Sequence, residues 1–201
     1  MDNRTIWNKR YLNGNLYNKG TLLDYTTRYM WDIINNFAKD DIRKECIDVG
    51  CGDLSFWRYK LFFYRPCEKY IGIDISDFIM KKNWKRFRKH KNRRFILASS
   101  DVFLSELSSK VVLCSDLLFH IMDDDTYIQT IVNLCRYSKK WIIITNWYKE
   151  PIPYNKTFQK YRDFKKYQYI FEEYGFVLIR SFKVPSNDTG KIYVYKKDDK
   201  I

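Results

Sequence analysis

The stretch CIDVGCGDLSFW, Cys46 to Trp57, sets an acid and two glycines at alternate positions, Asp48, Gly50 and Gly52, directly after buried-type residues. Glycines so spaced permit φ > 0 and let the backbone approach a ligand closely. A helix that follows them aims its unsatisfied amide groups at the same space. Strand, tight turn and helix are therefore expected, with something polar seated at the turn. A glycine turn is also a common plain connection, and acids further along the chain separate the two cases. Asp74 closes the next apolar run, YIGID, about 20 residues on, where a ribose-binding unit places its carboxylate. Ser100 and Asp101 follow the run RFILA, and Ser115 and Asp116 open SDLLFHI after a fourth run. His120, one of only two histidines, ends that segment and is the side chain best suited to act as a base near neutral pH. Its alternatives are stacking against a cofactor or a hydrogen bond to backbone.

Residue periodicity supplies the elements that must position these groups. Met30, Ile33, Ile34 and Phe37 recur at helical spacing, with Leu22 and Leu23 one to two turns earlier. A short helix is expected from Ser55 to Tyr64, ended by Arg65-Pro66. Strand two spans Tyr70 to Asp74, and a helix follows with Ser76 as its N-cap and Met80, Trp84 and Phe87 on one face. Strand three spans Arg94 to Ala98, a short helix 103 to 109, and strand four Val111 to Ser115. The helix from Asp123 carries acids against the positive end of its dipole and an expected stripe of Ile128, Ile131, Val132 and Cys135, with Lys139 and Lys140 closing it. Trp141 to Thr145 forms a buried strand opening into a loop with Trp147, Tyr148 and Tyr154. A last helix to Tyr174, stopped by Gly175, precedes the strands FVLIRSFKV and KIYVYKK, joined by a turn from Pro185 to Gly190. Strand–helix alternation finishing in an antiparallel hairpin predicts an α/β, Rossmann-like sheet of seven strands, mostly parallel with an antiparallel last strand and helices on both faces.

The 201 residues suffice for one domain with its own core. Residues 1 to 21 form an N-terminal segment of little periodicity, and 22 to 201 form the core. Lys and Arg (37) exceed Asp and Glu (24), a net charge of +13 that favours an acidic partner. From Lys81 to Arg94 there are nine Lys or Arg and no acid, which suits either a nucleic-acid footprint or a solvated helix face. His90 lies in that run and is expected in solvent. The five cysteines show no metal-ligand spacing and suit buried free thiols in a reducing cytosol. No apolar run approaches the roughly 18 residues of a membrane span, and the N-terminus has no signal core, so a cytoplasmic location is expected.

The order Asp48-x-Gly50-x-Gly52, Asp74, Ser100-Asp101 and CSDLLFHI resembles the class I S-adenosylmethionine-dependent methyltransferases over about residues 42 to 148. The family often has a third glycine where this chain has Leu54, which implies a differently shaped exit from the turn. The resemblance implies S-adenosyl-L-methionine as cofactor, held by Asp48, Gly50, Cys51, Gly52, Asp74, Ile75, Ser100, Asp101, Val102, Ser115 and Asp116. Asp101 would accept from the adenine amine, with Val102 supplying a backbone N–H. The opening WNKRY is similar to a subgroup in which such a segment lies over the cofactor as a lid. That implies Arg10 as partner of the methionine carboxylate and Tyr11 with His120 as catalytic residues, the lid being ordered by cofactor. Exocyclic-amine methylation of DNA is disfavoured, because Ser115-Asp116-Leu117-Leu118 stands where such enzymes carry Asn/Asp-Pro-Pro-aromatic. A small-molecule or glycan acceptor is favoured, while the charge and the loop aromatics would suit RNA by stacking. A non-catalytic binding module on the same fold is the remaining alternative, against which the intact acids and glycines stand.

Overall fold

The computed structural model describes residues 2–13, 21–57, 67–147, 158–184 and 187–198, the side chains of 21–26 and 187–189 excepted. Helices α1 (Asn3–Leu12) and α2 (Thr21–Lys44) precede β1 (Glu45–Val49). Then come β2 (Lys69–Asp74), α3 (Asp77–Phe87), β3 (Arg93–Leu97), β4 (Ser109–Ser115) and a 3₁₀ turn at Leu118–His120. The chain continues through α4 (Asp124–Tyr137), β5 (Ser138–Trp147), α5 (Gln168–Glu173), β6 (Phe176–Val184) and β7 (Asn187–Lys197). The seven strands lie in the order β3-β2-β1-β4-β5-β7-β6. All pairings are parallel except those of β7, which runs antiparallel between β5 and β6. The chain winds outward from β1 to β3 and returns to β4, so a crevice opens beyond the C-terminal ends of β1 and β4, where open α/β sheets bind ligands.

Alternation along the central strands divides the core in two. Cys46 and Tyr70 face one side, with Met30 and Ile34 of α2 and Met80 of α3. Ile47, Ile71 and Ile73 face the other, with Ile131 and Leu134 of α4 and Phe171 of α5. Helices thus cover both faces, as expected. The same alternation turns Asp48 into the first layer, where it is 3 % exposed. Its Oδ2 accepts from Trp57 Nε1 at 2.7 Å and from the Tyr70 hydroxyl at 2.9 Å. Gly72, next inward on β2, leaves the space that the Cys51 thiol and Phe95 fill: a Cβ there would lie 2.8 Å from Cys51 Sγ. All five cysteines are buried free thiols.

Several expected boundaries move. Residues 3 to 12, too weakly periodic to predict, form a helix because Asp2 caps it, accepting from Thr5 N at 3.0 Å. Helix α2 continues past Phe37 to Lys44 through a kink at Ala38. The expected helix from Ser55 is absent over Ser55 to Trp57, which form turns, and 58 to 64 lie outside the described residues. Residues 103 to 108 form no helix; they cross as an irregular loop tied by the Tyr137 hydroxyl, which donates to Val102 O and accepts from Leu104 N. Trp84 leaves the buried stripe of α3 and is 41 % exposed, while Asn83 takes the inward place. Lys139 and Lys140 belong to β5, which starts directly after α4, and Lys140 pairs with Asp41 at 2.8 Å.

Burial pushes the Asp48 carboxyl up to about 6, against the opposing effect of its two hydrogen-bond donors. Between the unfolded value near 4 and this folded value the native state holds the extra proton, so this group's contribution to stability declines as pH rises through that window. Asp48→Asn keeps an acceptor for Trp57 and Tyr70 and removes the charge. The stability difference between the Asn variant and the wild type should therefore grow in favour of the variant from pH 4 to 6, as read by urea denaturation at each pH. Asp48→Ala should instead cost about 2–4 kcal/mol by stranding two buried donors.

Candidate functional site

The turn after β1 is knitted to the end of β2. Ile73 O accepts from Gly50 N at 2.8 Å and from Cys51 N at 3.1 Å, and Asp74 Oδ2 accepts from Gly52 N at 2.9 Å. Gly52 O in turn accepts from Asn83 Nδ2 of α3 at 2.8 Å. Gly50 (φ +78) and Gly52 (φ +52) occupy the left-handed region, and so does Leu54 (φ 63). The position where the resembled family often has glycine therefore keeps a glycine-like conformation with a side chain that is 1 % exposed. The three amides at Gly50, Cys51 and Gly52 are already donating within the protein. Those three N–H groups therefore form no free anion cradle.

Carboxylates dominate that edge. Asp53, Asp74, Asp101 and Asp116 stand at or just beyond the C-terminal ends of β1, β2, β3 and β4. Asp74 is almost fully buried and its carboxyl is raised by desolvation, although Ser76 N donates to its Oδ1 at 2.9 Å. Asp101 receives the Ser99 hydroxyl. Asp116 has φ 53, a left-handed conformation that costs a non-glycine residue about 1–3 kcal/mol and clusters at functional sites. It is reached by solvent yet surrounded by protein mass, which pushes its carboxyl up to about 6 against a hydrogen bond from Trp147. The adjoining Leu117 packs on the glycine turn, 3.0 Å from where a Gly50 Cβ would sit.

Helix α1 lies across these strand ends. Asn8 anchors it: its Nδ2 donates to Asp77 Oδ1 at 2.5 Å, and its Oδ1 accepts from Ser76 Oγ at 2.6 Å and Phe78 N at 3.3 Å. Tyr11 presses on the glycine turn, its hydroxyl 2.7 Å from where a Gly52 Cβ would be. Burial and the nearby Asp74 and Asp53 raise the Tyr11 hydroxyl far above its usual range, so it serves as a donor and not as a base. Trp7 meets His120 edge to face, ring centroids 4.8 Å apart, and Arg10 lies 4.1 Å over Phe158 and 5.2 Å over Trp7. The N-terminal segment and His120 thus come together, through the Trp7 ring and the neighbouring Arg10 and Phe158.

His120 is 5 % exposed, with Nδ1 2.9 Å from Phe158 O. Desolvation, opposed by that hydrogen bond and joined by the charge of Arg10, lowers its pKa to about 4. A neutral ring that donates from Nδ1 keeps Nε2 as an acceptor, but of weak basicity. The segment that carries Phe158 is tied to the residues after β4, Lys160 N donating to Phe119 O at 2.8 Å. Arg162, 8 % exposed, donates to Ile121 O at 2.7 Å and Met122 O at 3.1 Å and pairs with Asp124 at 2.7 Å. Phe119, Trp147 and Tyr161 stack beside His120, with centroids 4.8 to 6.0 Å apart.

Among the other expected site residues, Cys51 turns its thiol inward, where burial and two acids raise it well above its usual value, so only its backbone can reach a ligand. Ser100 bonds Thr130 Oγ1 at 2.8 Å and Ser115 approaches Met30 Sδ at 4.0 Å, so both point into the fold. Val102 N is taken by Ser99 O at 3.1 Å, leaving its half-exposed side chain, with that of Ile75, to offer apolar contact. Asp48 acts through the turn and not on a ligand, being engaged from within. Tyr148 and Tyr154 lie outside the described residues. Sequence reasoning missed Asn8, Asp53, Asn83 and Phe158. Asp53, directly after Gly52, could have been noticed from its place in the turn; the others become visible only through long-range pairing. Among the described residues no group of His, Cys, Asp and Glu could hold a metal, and no helix is long and apolar enough to cross a membrane.

This arrangement is the fold of the class I S-adenosylmethionine-dependent methyltransferases. The chain superposes on the N-methyltransferase NodS of Bradyrhizobium japonicum WM9, solved with S-adenosyl-L-homocysteine, with a TM-score of 0.76, 9 % identity and coverage of 99 % and 100 % of the two chains. Magnesium protoporphyrin IX methyltransferase of Synechocystis PCC 6803 gives 0.72 at 14 % identity over 98 % and 100 %. The [4+2]-cyclase SpnF gives 0.66 at 11 % identity over 84 % and 80 %, so this fold carries more than one reaction. No protein-family model and no curated protein matches the sequence.

The Asn8 anchor of α1 is directly measurable. Asn8→Ala removes three hydrogen bonds that tie α1 to α3, one of them to a charged acceptor. Amide exchange over α1 should accelerate about ten-fold or more, the effect of losing roughly 1.5 kcal/mol, while protection in β1 and β4 stays unchanged. Equal acceleration in the central strands would mean that α1 is part of the core and not a lid on it.

Proposed function

We propose that the chain transfers a methyl group from S-adenosyl-L-methionine to a small-molecule or glycan acceptor. The observation that carries this reading is an edge of acceptors in a strongly basic protein: four acids at the ends of four strands, beside a turn whose amides are spent. Such a set of acceptors suits a ligand rich in hydrogen-bond donors and positive charge. A sulfonium, an ammonium, ribose hydroxyls and the adenine amine are groups of that kind, whereas a pyrophosphate would meet repulsion. When bound, the cofactor supplies an electrophilic methyl group on sulfur.

The chain's own residues would then divide the work. Asp74 accepts from the ribose hydroxyls and Asp101 from the adenine amine, with Ile75 and Val102 against the ring. Gly50 and Gly52 let the backbone come close, and Arg10 brings a cation from α1 toward the carboxylate end. Helix α1 excludes water, and positioning the acceptor beneath it contributes most of the rate. A cleft covered by a helix also favours an acceptor small enough to fit under it. Asp116, solvent-reached and with a carboxyl near 6, takes a proton from the acceptor more effectively at neutral pH than His120, whose ring contributes shape and a hydrogen bond.

Calorimetry with S-adenosyl-L-homocysteine tests the cofactor. Micromolar-range binding is expected, weakened about ten- to a hundred-fold by Asp74→Ala, the equivalent of roughly 1.5–3 kcal/mol. Absence of binding by the wild-type chain would end the methyltransferase reading. Labelled S-adenosyl-L-methionine offered with separated metabolite, glycan, RNA and protein fractions identifies the acceptor.

Once the acceptor is known, kcat/KM against pH should rise through an inflection near pH 6. Asp116→Asn should abolish that inflection and His120→Gln should retain it. The reverse pattern would make the histidine the base.

A further inference from the structure

The run from Lys81 to Arg94 holds nine of the chain's 37 basic residues and no acid. Subtracting its +9 from the net +13 leaves +4 for the other 187 residues, so the excess charge is concentrated and not spread. The structure gives this run a surface. Ile79, Met80, Asn83 and Phe87 bury one face of α3, and Lys81, Lys85, Arg88, Lys89 and Lys91 are exposed on the outside of α3 and the turn into β3, which is an edge strand. Residues three or four apart on a helix have Cβ atoms about 5–6 Å from one another, which places Lys81 and Lys85 as neighbours on one face. Trp84 stands among them, 41 % exposed, its orientation fixed by donation from Nε1 to Phe95 O at 2.9 Å.

We propose that this face of α3 and its turn into β3 docks single-stranded nucleic acid, with the lysines and arginines on phosphates and the Trp84 ring under a base. A single-sign row of cations fits a uniform polyanion, and neutralising phosphates with Lys and Arg gains free energy from released counterions. A fixed, partly exposed indole adds a stacking platform that unpaired bases can use and a duplex cannot. The apolar side of the helix is already spent on the core, and the one indole on the outer face is tethered to Phe95 O, which leaves no apolar stripe of the kind that lies in a lipid surface. An acidic protein segment would not use the indole in this way. The surface is separate from the crevice: α3 starts beside Asp74 and its basic end lies about 16 Å away at the opposite edge of the sheet. The inference therefore does not rest on the methyl-transfer reading.

Binding of a fluorescent 12-nucleotide RNA, followed by anisotropy from 50 to 300 mM salt, tests it. The wild type should bind with a steep salt dependence. The triple variant Lys85→Glu, Arg88→Glu and Lys89→Glu should bind at least about ten-fold more weakly and lower the log–log salt slope by about 2, the share of three phosphate contacts on a single strand. Trp84→Phe should lose the RNA-induced quenching of tryptophan emission while keeping the salt slope. As a control for net charge, Lys165→Glu, Lys166→Glu and Lys183→Glu place the same change on exposed residues elsewhere. Equal losses in the two triple variants would reduce the effect to bulk attraction and overturn the docking surface. So would binding to anionic phosphatidylserine vesicles with none to RNA. Unchanged circular dichroism and S-adenosyl-L-homocysteine affinity in the first triple variant show that its fold and crevice are intact.

Discussion

The attachment of the Gly50–Gly52 turn to the end of β2 is the constraint on which the rest of the site depends. One carbonyl, Ile73 O, and one carboxylate, Asp74, gather three consecutive N–H groups of the turn. Beneath them the Asp48 carboxylate ties Trp57 and Tyr70 together. The turn can then neither flatten nor slide along the sheet. Gly52 O is left to receive Asn83, and Leu117 can pack on Gly50, so β4 and α3 are located by the same few atoms. Helix α1 rests on the surface these contacts make, through Asn8 on α3 and Tyr11 on the turn.

That arrangement decides which sequence signals were legible. The strands were readable because they are short, apolar and punctuated, and their order followed from alternation with helices. The acids at the strand ends were readable because chain spacing fixes where a strand stops. The opening residues gave no sign of their helical form, because their apolar residues are few and the helix is held by a cap at Asp2 and by Asn8. The expected helix 103 to 109 is replaced by a loop fastened to the Tyr137 hydroxyl, 33 residues from Leu104, a long-range tie that no local pattern reveals. His120 looked like a base because of its type and place in the chain. Its burial against Phe158 and Trp7, which no local pattern reveals, makes it a weak one.

Electrostatically the molecule is two regions of opposite character. The crevice is lined by acceptors, and the outer face of α3 by cations. Asp48 and His120 also respond to acid in opposite senses: the raised carboxyl favours folding as pH falls toward 4, whereas the depressed imidazole disfavours it between about 6.5 and 4. The two contributions oppose each other over the same interval, which moderates the net pH dependence of a fold that keeps both groups buried.

Leu54 carries a consequence for how such a site can change over generations. Its backbone holds a left-handed φ that glycine would adopt without strain, while its side chain fills the space beneath the turn. Replacement by glycine would relieve about 1–2 kcal/mol of backbone strain but forfeit about 2–5 kcal/mol of buried contact, and a β-branched residue would fit the backbone less well still. Glycine at this position is therefore no neutral exchange: what it gains in the backbone it loses in the void it leaves beneath the turn.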